Sequence, residues 1–168
     1  MLKYVDTAVT LREIPNEITL CINISNCPCH CKGCHSSYLA EDIGKELYMS
    51  ELDSLIEKNK GITCVAFMGG DSSPIDVYYL CKHVKASHPT ILTAWYSGRE
   101  NLPLGLERRL SEYNFIKLGP YIEEFGPLDS PTTNQKLYEV KMCREIDELG
   151  NPIYGLEDIT NLFWKEQP

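Results

Sequence analysis

Four cysteines fall within eight residues, Cys27-Pro28-Cys29-His30-Cys31-Lys32-Gly33-Cys34, and they are half of the eight cysteines in the chain. Thiols this close in sequence do not easily pair with one another. They do converge on a single metal centre, the way soft thiolates hold iron–sulfur clusters or zinc. The run contains Cys27-x3-Cys31-x2-Cys34, and three thiolates satisfy three irons of a [4Fe–4S] cluster while leaving the fourth iron without a protein ligand. An open coordination position marks a centre that binds substrate, by the rule that separates catalytic from structural zinc. Lys32 and Gly33 permit a tight loop whose backbone N–H groups can bond to sulfur. The competing chemistry is structural zinc, held by Cys27, Cys29, Cys31 and Cys34, or by three of them with His30 or His35. Zinc knuckles usually draw on two separated pairs, however, and the sequence offers no second pair.

The rest of the chain sets the compartment and the class. A length of 168 residues suits one domain, residues 1–168, with a loop-rich C-terminal segment from about residue 119. Apolar residues make up 43% and charged residues 24%, an ordinary globular balance. No apolar run is long enough for a membrane span, and the first residues lack a secretory pattern, so a cytoplasmic address is expected. In a reducing compartment, clustered thiols are metal ligands or redox groups before they are disulfides. Cys21, Cys64, Cys81 and Cys143 lie in apolar or helical contexts and read as small buried hydrophobes. The net charge of −8 and the absence of a Lys/Arg block argue against a nucleic-acid partner.

The elements that must position the cysteines follow from periodicity. Ile18–Ile24 alternates and is β-branched, which predicts a strand, with Ala8–Arg12 pairing to it across a turn at Ile14-Pro15-Asn16-Glu17. Ser50 reads as the N-cap of a helix over Glu51–Lys58, and Ile62–Phe67 as a second strand, apolar on both faces. Pro74 opens a helix to about Lys85. A third strand at Ile91–Tyr96, a helix at Leu106–Tyr113, a fourth strand at Phe115–Leu118 and another at Lys136–Met142 complete the pattern. Strand–helix alternation at this spacing predicts an α/β fold with a parallel sheet. The count is too small for eight βα units, so the expectation is a partial (β/α) barrel with an open parallel sheet. Ligands in such sheets gather at the C-terminal strand ends. The cysteine run, Gly69-Gly70-Asp71, Ser97-Gly98 and Gly119-Pro120 follow the four strands in turn, so every unusual loop lands on one edge.

The cysteine loop after the first strand, joined to Gly69-Gly70-Asp71 after the second, resembles the radical S-adenosylmethionine superfamily. Within it, the short chain, Leu118-Gly119-Pro120-Tyr121-Ile122-Glu123-Glu124 and Thr133-Asn134-Gln135 resemble the anaerobic ribonucleoside-triphosphate reductase activating proteins, from about Glu17 to Val140. Three positions depart from the pattern. Gly33 stands where an aromatic residue usually precedes the third cysteine, Asp71 where the motif commonly ends in Glu, and Cys29 is an extra thiol.

The resemblance implies that Cys27, Cys31 and Cys34 ligate a [4Fe–4S] cluster whose open iron takes S-adenosyl-L-methionine. One electron then breaks the cofactor's C5′–S bond, and hydrogen is removed from a glycine of the partner reductase. It implies that Gly69, Gly70 and Asp71 line the methionine end of the cofactor. The same three residues also make an ordinary strand-to-helix turn. It also implies that His35 packs near the cofactor. Ser97 contacts ribose or carboxylate, or caps a helix. Asn134 and Gln135 shape the partner-facing rim or make local turn bonds. The implied partners are the reductase as protein substrate and an electron donor such as a flavodoxin or ferredoxin, with no nucleic acid and no membrane. Two other functions stay open: a small radical enzyme with a different protein or small-molecule substrate, and a non-enzymatic zinc or iron–sulfur module. Tyr121 and Phe163-Trp164 read as packing, and His83 and His88 as surface residues without partners.

Overall fold

Side chains on successive strand residues point to opposite faces of a sheet, and the central strands of this protein use the two faces differently. The computed structural model describes residues 1–164. Its strands are β1 (Lys3–Thr10), β2 (Thr19–Ile24), β3 (Lys45–Glu46), β4 (Cys64–Met68), β5 (Leu92–Tyr96), β6 (Phe115–Leu118), β7 (Lys136–Ile146) and β8 (Pro152–Asp158). They form one open sheet in the order β3-β1-β2-β4-β5-β6-β7-β8. Helices α1 (Met49–Lys58) and α2 (Pro74–Ser87) lie in the crossovers from β2 to β4 and from β4 to β5.

The fold is α/β, but the sheet is mixed rather than parallel throughout. Strands β2, β4, β5 and β6 are parallel, while β1 and β3 on one side and β7 and β8 on the other are added through antiparallel pairings. The β7–β8 flank is a hairpin closed by residues 147–151, a short return that no parallel connection can make. Residues 11–18 join β1 to β2, and there Glu17 N–H donates to Ile14 O across the expected turn, with Asn16 at φ +66°.

One face carries Leu20, Ile22, Ile24, Val65, Phe67, Trp95 and Ile116, packed under Leu52, Leu55, Ile56, Val77, Leu80, Cys81 and Val84 of the two helices. The other face is a smaller cluster of Cys21, Cys64, Ala66, Ala94, Phe115 and Leu137, closed by Ile14 and Leu128. Cys21, Cys64 and Cys81 are buried as expected, and burial pushes each thiol up, Cys21 to about 12. Cys143 is half-buried on β7.

Local expectations change where tertiary contacts outvote local signals. Strand β1 begins at Lys3 rather than Ala8, because Leu2 and Tyr4 drop into the core ahead of the polar stretch. Helix α1 starts at Met49 with Tyr48 at the cap position and no side-chain capping bond, so Ser50 is not its N-cap. Its three buried apolar residues hold it instead. The segment expected as a helix over Leu106–Tyr113 is a 3₁₀ turn at Glu107–Glu112, anchored by Leu110. Strand β7 runs on to Ile146 and pairs with β8, which the charge-rich sequence hides. The hairpin is closed by Asp147, whose carboxylate accepts from the N–H groups of Leu149 and Asn151.

Candidate iron–sulfur site

Register places the site. Across the parallel strands, Asn23 on β2 stands beside Met68 on β4, Met68 beside Tyr96 on β5, and Tyr96 beside Lys117 on β6. This row crosses the face opposite the helices, close to the C-terminal strand ends, and all four residues line one cavity of about 410 Å³. The row before it is Cys21, Ala66, Ala94 and Phe115. That row does not border the cavity: it is buried in the small cluster closed by Ile14 and Leu128, and the cavity opens one row further toward the strand ends.

The cysteine loop is held over this floor at its ends. Ser25 Oγ donates to Ile43 O at 2.6 Å, Asn26 N–H to Glu41 O at 2.9 Å and Cys27 N–H to Leu39 O at 2.9 Å. Asn26 and His30 both take positive φ, and Cys34 N–H closes a turn onto Cys31 O at 3.2 Å. The result is that Cys27, Cys29, Cys31 and Cys34 are all half-buried and all border the cavity.

Facing them is a loop pinned from below. Gly69 accepts the indole N–H of buried Trp95 at its carbonyl (2.8 Å), and its own N–H donates to Tyr96 O at 2.9 Å. Gly69 and Gly70 have φ of +105° and +92°, and a Cβ on Gly70 would sit 2.5 Å from Val77 Cγ2. Both positions therefore require glycine. Asp71 is 1% exposed and its carboxylate is fully engaged. Ser97 Oγ donates to Oδ1 at 2.6 Å, Gly98 N–H to Oδ2 at 2.9 Å, and Arg99 Nε stands 3.4 Å from Oδ1. Arg99 also donates to the Asp71 carbonyl at 2.9 Å. Asp71 thus joins the loops after β4 and β5, as a buried carboxylate must when it cannot face water.

Cys29 closes the third side. Its Sγ lies 3.7 Å from Asp71 Oδ2, and a Cβ on Gly98 would approach that sulfur to 2.7 Å. Burial first, then the Asp71 carboxylate and the sulfurs of Cys27 and Cys31, push the Cys29 thiol up to about 12, so it meets Asp71 as an S–H donor. Lys117 is 8% exposed; its Nζ donates to Gly119 O at 2.7 Å and reaches Ser97 O at 3.4 Å. Burial lowers its pKa to about 8, opposed by Cys31, Asp71, Cys29 and Cys34.

Among the expected site residues, Cys27, Cys31, Cys34, His35, Gly69, Asp71 and Ser97 all border the cavity. Gly70 lies behind it against Ile24 and Val77. Ser97 is 1% exposed, and its hydroxyl is taken up by Asp71 and by the N–H of Arg99. Gln135 is buried and borders the cavity, whereas Asn134 spends its amide N–H on Pro120 O at 2.9 Å. Tyr121 and Phe163 also border it. His83 and His88 are not partnerless: both Nε2 atoms bond Asp53 Oδ1, at 2.8 and 2.9 Å. Their sequence separation from α1 conceals that pairing. Asn23, Met68, Tyr96 and Lys117 are among the cavity residues that motif reading passes over. Lys117 left one sign, as the single charge in an otherwise apolar strand that runs into Gly119.

The donor chemistry separates cluster from zinc. One tetrahedral zinc needs four ligands mutually close, with sulfurs about 3.8 Å apart when each bond is about 2.3 Å. Among the described residues the one group of three with ligand atoms within 4.8 Å of each other is Cys27, Cys29 and Asp71. That group leaves out Cys31 and Cys34, and its carboxylate already accepts three donors. Thiolates more widely spread around one cavity fit a cubane, where each binds a different iron.

Among the described residues no helix is long and apolar enough to cross a membrane. No curated protein and no solved structure matches the chain. A family model described as a 4Fe-4S single cluster domain does match, over residues 18–124. That span starts at the turn into β2 and takes in the cysteine loop, Gly69–Asp71, Ser97 and Lys117. The chain belongs to the 4Fe-4S single cluster domain family.

Proposed function

We propose that this protein is a radical S-adenosylmethionine activating enzyme that reductively cleaves the cofactor at its [4Fe–4S] cluster and generates a glycyl radical on an anaerobic ribonucleoside-triphosphate reductase. The observation that carries the reading is the shared cavity: Cys27, Cys31 and Cys34 border the same 410 Å³ as Gly69, Asp71 and Ser97. Three sulfurs facing a space of small-ligand size suit a centre that takes a substrate beside the metal. When bound, the cluster supplies an electron and an iron free of protein ligand, and the cofactor supplies the carbon–sulfur bond to be broken.

The chain's own residues do the positioning. Gly69 lets a ligand approach the cavity wall closely because no side chain stands there, while its N–H and C=O are fixed on Tyr96 and Trp95. Asp71, through Ser97, Gly98 and Arg99, keeps two cavity walls in fixed relation. Leu128 and Phe163 supply apolar wall that limits the access of water. Lys117 supplies positive charge at the floor. The central parallel strands and open edges agree with a partial (β/α) barrel of that superfamily. A flavodoxin or ferredoxin serves as electron donor, and the cytoplasm is the fitting compartment.

Anaerobic purification tests this directly. About four irons and four sulfides per chain are expected. Reduction in the presence of S-adenosylmethionine then yields 5′-deoxyadenosine, and added reductase develops a glycyl electron-spin signal. One zinc per chain and no 5′-deoxyadenosine would sink the enzyme reading. Cleavage without a glycyl signal would move the substrate elsewhere in the superfamily.

A further inference from the structure

Lys117 is a cation buried at the floor of the cavity, in the middle of a strand whose other residues are Phe115, Ile116 and Leu118. Moving an ammonium group out of water costs several kcal/mol unless its charge is answered. The groups that answer it are two carbonyls, Gly119 O at 2.7 Å and Ser97 O at 3.4 Å. No carboxylate lies within ion-pair distance of its Nζ among the described residues. An ammonium has three N–H donors, so one remains for whatever occupies the cavity. The groups that favour its charged form are Cys31, Asp71, Cys29 and Cys34. Strand register fixes Lys117 beside Tyr96 and keeps it at the floor facing the cysteine loop.

We propose that Lys117 sets the reduction potential of the cluster, its buried charge stabilising the reduced, more negative state. The inference rests on the cluster that the cysteines hold and not on the radical reading. The electron balance is simple. The cluster takes one electron from a low-potential donor, such as a ferredoxin-type protein or dithionite in vitro. Its core and thiolates become one unit more negative, Lys117 stays protonated, and no bond to it forms or breaks. Net charge, hydrogen bonds to sulfur and solvent exposure are the levers that move such potentials, and Lys117 acts on the first.

The test is an electron-spin-monitored redox titration of the purified holoprotein without S-adenosylmethionine, with iron and sulfide content measured alongside. Lys117→Met is expected to shift the reduction equilibrium toward the oxidised cluster by at least tenfold, which is about 59 mV for a one-electron couple. Lys117→Arg, which keeps the charge, stays within about threefold of the wild type. Lys117→Gln keeps a donor without the charge; it shifts like the methionine variant and replaces it if that variant fails to assemble. Lys82→Met, on the exposed side of α2, leaves the midpoint unmoved. Midpoints of Lys117→Met and Lys117→Gln equal to wild type, or shifted upward, would overturn the proposal. So would a Lys117→Gln midpoint at the wild-type value beside a shifted Lys117→Met, because the charge would then not be the cause. A wild-type protein that assembles no cluster at all overturns the reading beneath it instead.

Discussion

The two faces of the central sheet are built from the same four strands and differ in nearly every physical respect. Leu20, Ile22, Val65, Phe67, Trp95 and Ile116 alternate with Cys21, Asn23, Cys64, Ala66, Ala94 and Tyr96 along the strands. The first set is large, fully buried and covered by two helices. The second is small or polar, and toward the strand ends it gives way to a cavity. Stability is concentrated on one face so that the other can keep space open. A close-packed interior admits no ligand, so a site on the same sheet must come from residues that deliberately underfill it.

Truncation on the packed face gives the largest expected effect. Phe67→Ala is expected to lower unfolding stability by about 3–5 kcal/mol in denaturant titration. A loss below about 1 kcal/mol would mean that this face does not carry the core. On the open face, Asp71→Ala leaves Ser97 Oγ and Gly98 N–H without their acceptor and is expected to cost about 1–3 kcal/mol. The same variant should loosen the loops around the cysteines, read as faster loss of iron to a chelator. Ala94→Leu fills the small row and is expected to cost about 1–3 kcal/mol by overpacking. Unchanged stability would show that this row is not close-packed.

A sharper contrast lies within the cysteine loop itself. Cys31→Ala is expected to remove most of the iron, whereas Cys29→Ala retains at least about half of the full four per chain. Cys29 bonds Asp71 and packs on Gly98, so its loss disturbs the loop without taking away a cluster ligand. Equal loss of iron in both variants would make Cys29 a ligand.

The smallest effect belongs to the clasp between the helices. Burial raises the Asp53 carboxyl, but the bonds from His88 and His83 outweigh it and hold the group below its ordinary range. A depressed native pKa adds stability at pH above the unfolded value, and that stability is lost as pH falls through the native one. The difference between wild type and Asp53→Asn is therefore expected to be under about 1 kcal/mol, because the pair is partly exposed. It should be present near pH 5 and shrink as pH drops below about 4. A difference that grows in acid would contradict the clasp.

Much of the central architecture was readable because short-range physics dictates it. β-branched alternation marks Thr19–Ile24, the apolar run marks Cys64–Met68, and Pro74 marks the first turn of α2. The hairpin β7–β8 was half missed, since its outer residues are exposed and charged and so lack the apolar alternation that reveals a strand. Ser50 carries a capping residue's identity without the role, since packing of Leu52, Leu55 and Ile56 holds α1 without a side-chain cap. At the site, the cysteines and glycines were legible from spacing and backbone demands. Asn23, Met68, Tyr96 and Lys117 were not, because they are ordinary residues made special only by standing in one row.

By itself, the sequence determined that soft thiolates crowd one loop at a strand end, which restricts the chemistry to a metal centre whatever the fold. It also determined where the chain must turn tightly, because only glycine tolerates the backbone at Gly69 and Gly70. Tertiary structure alone decided what faces those sulfurs. The parallel register brings Lys117 from β6 under a loop that follows β2, and Asp71 to the loop after β5. Those residues are separated by tens of positions along the chain, and only strand pairing, a non-local interaction, sets the distance between them.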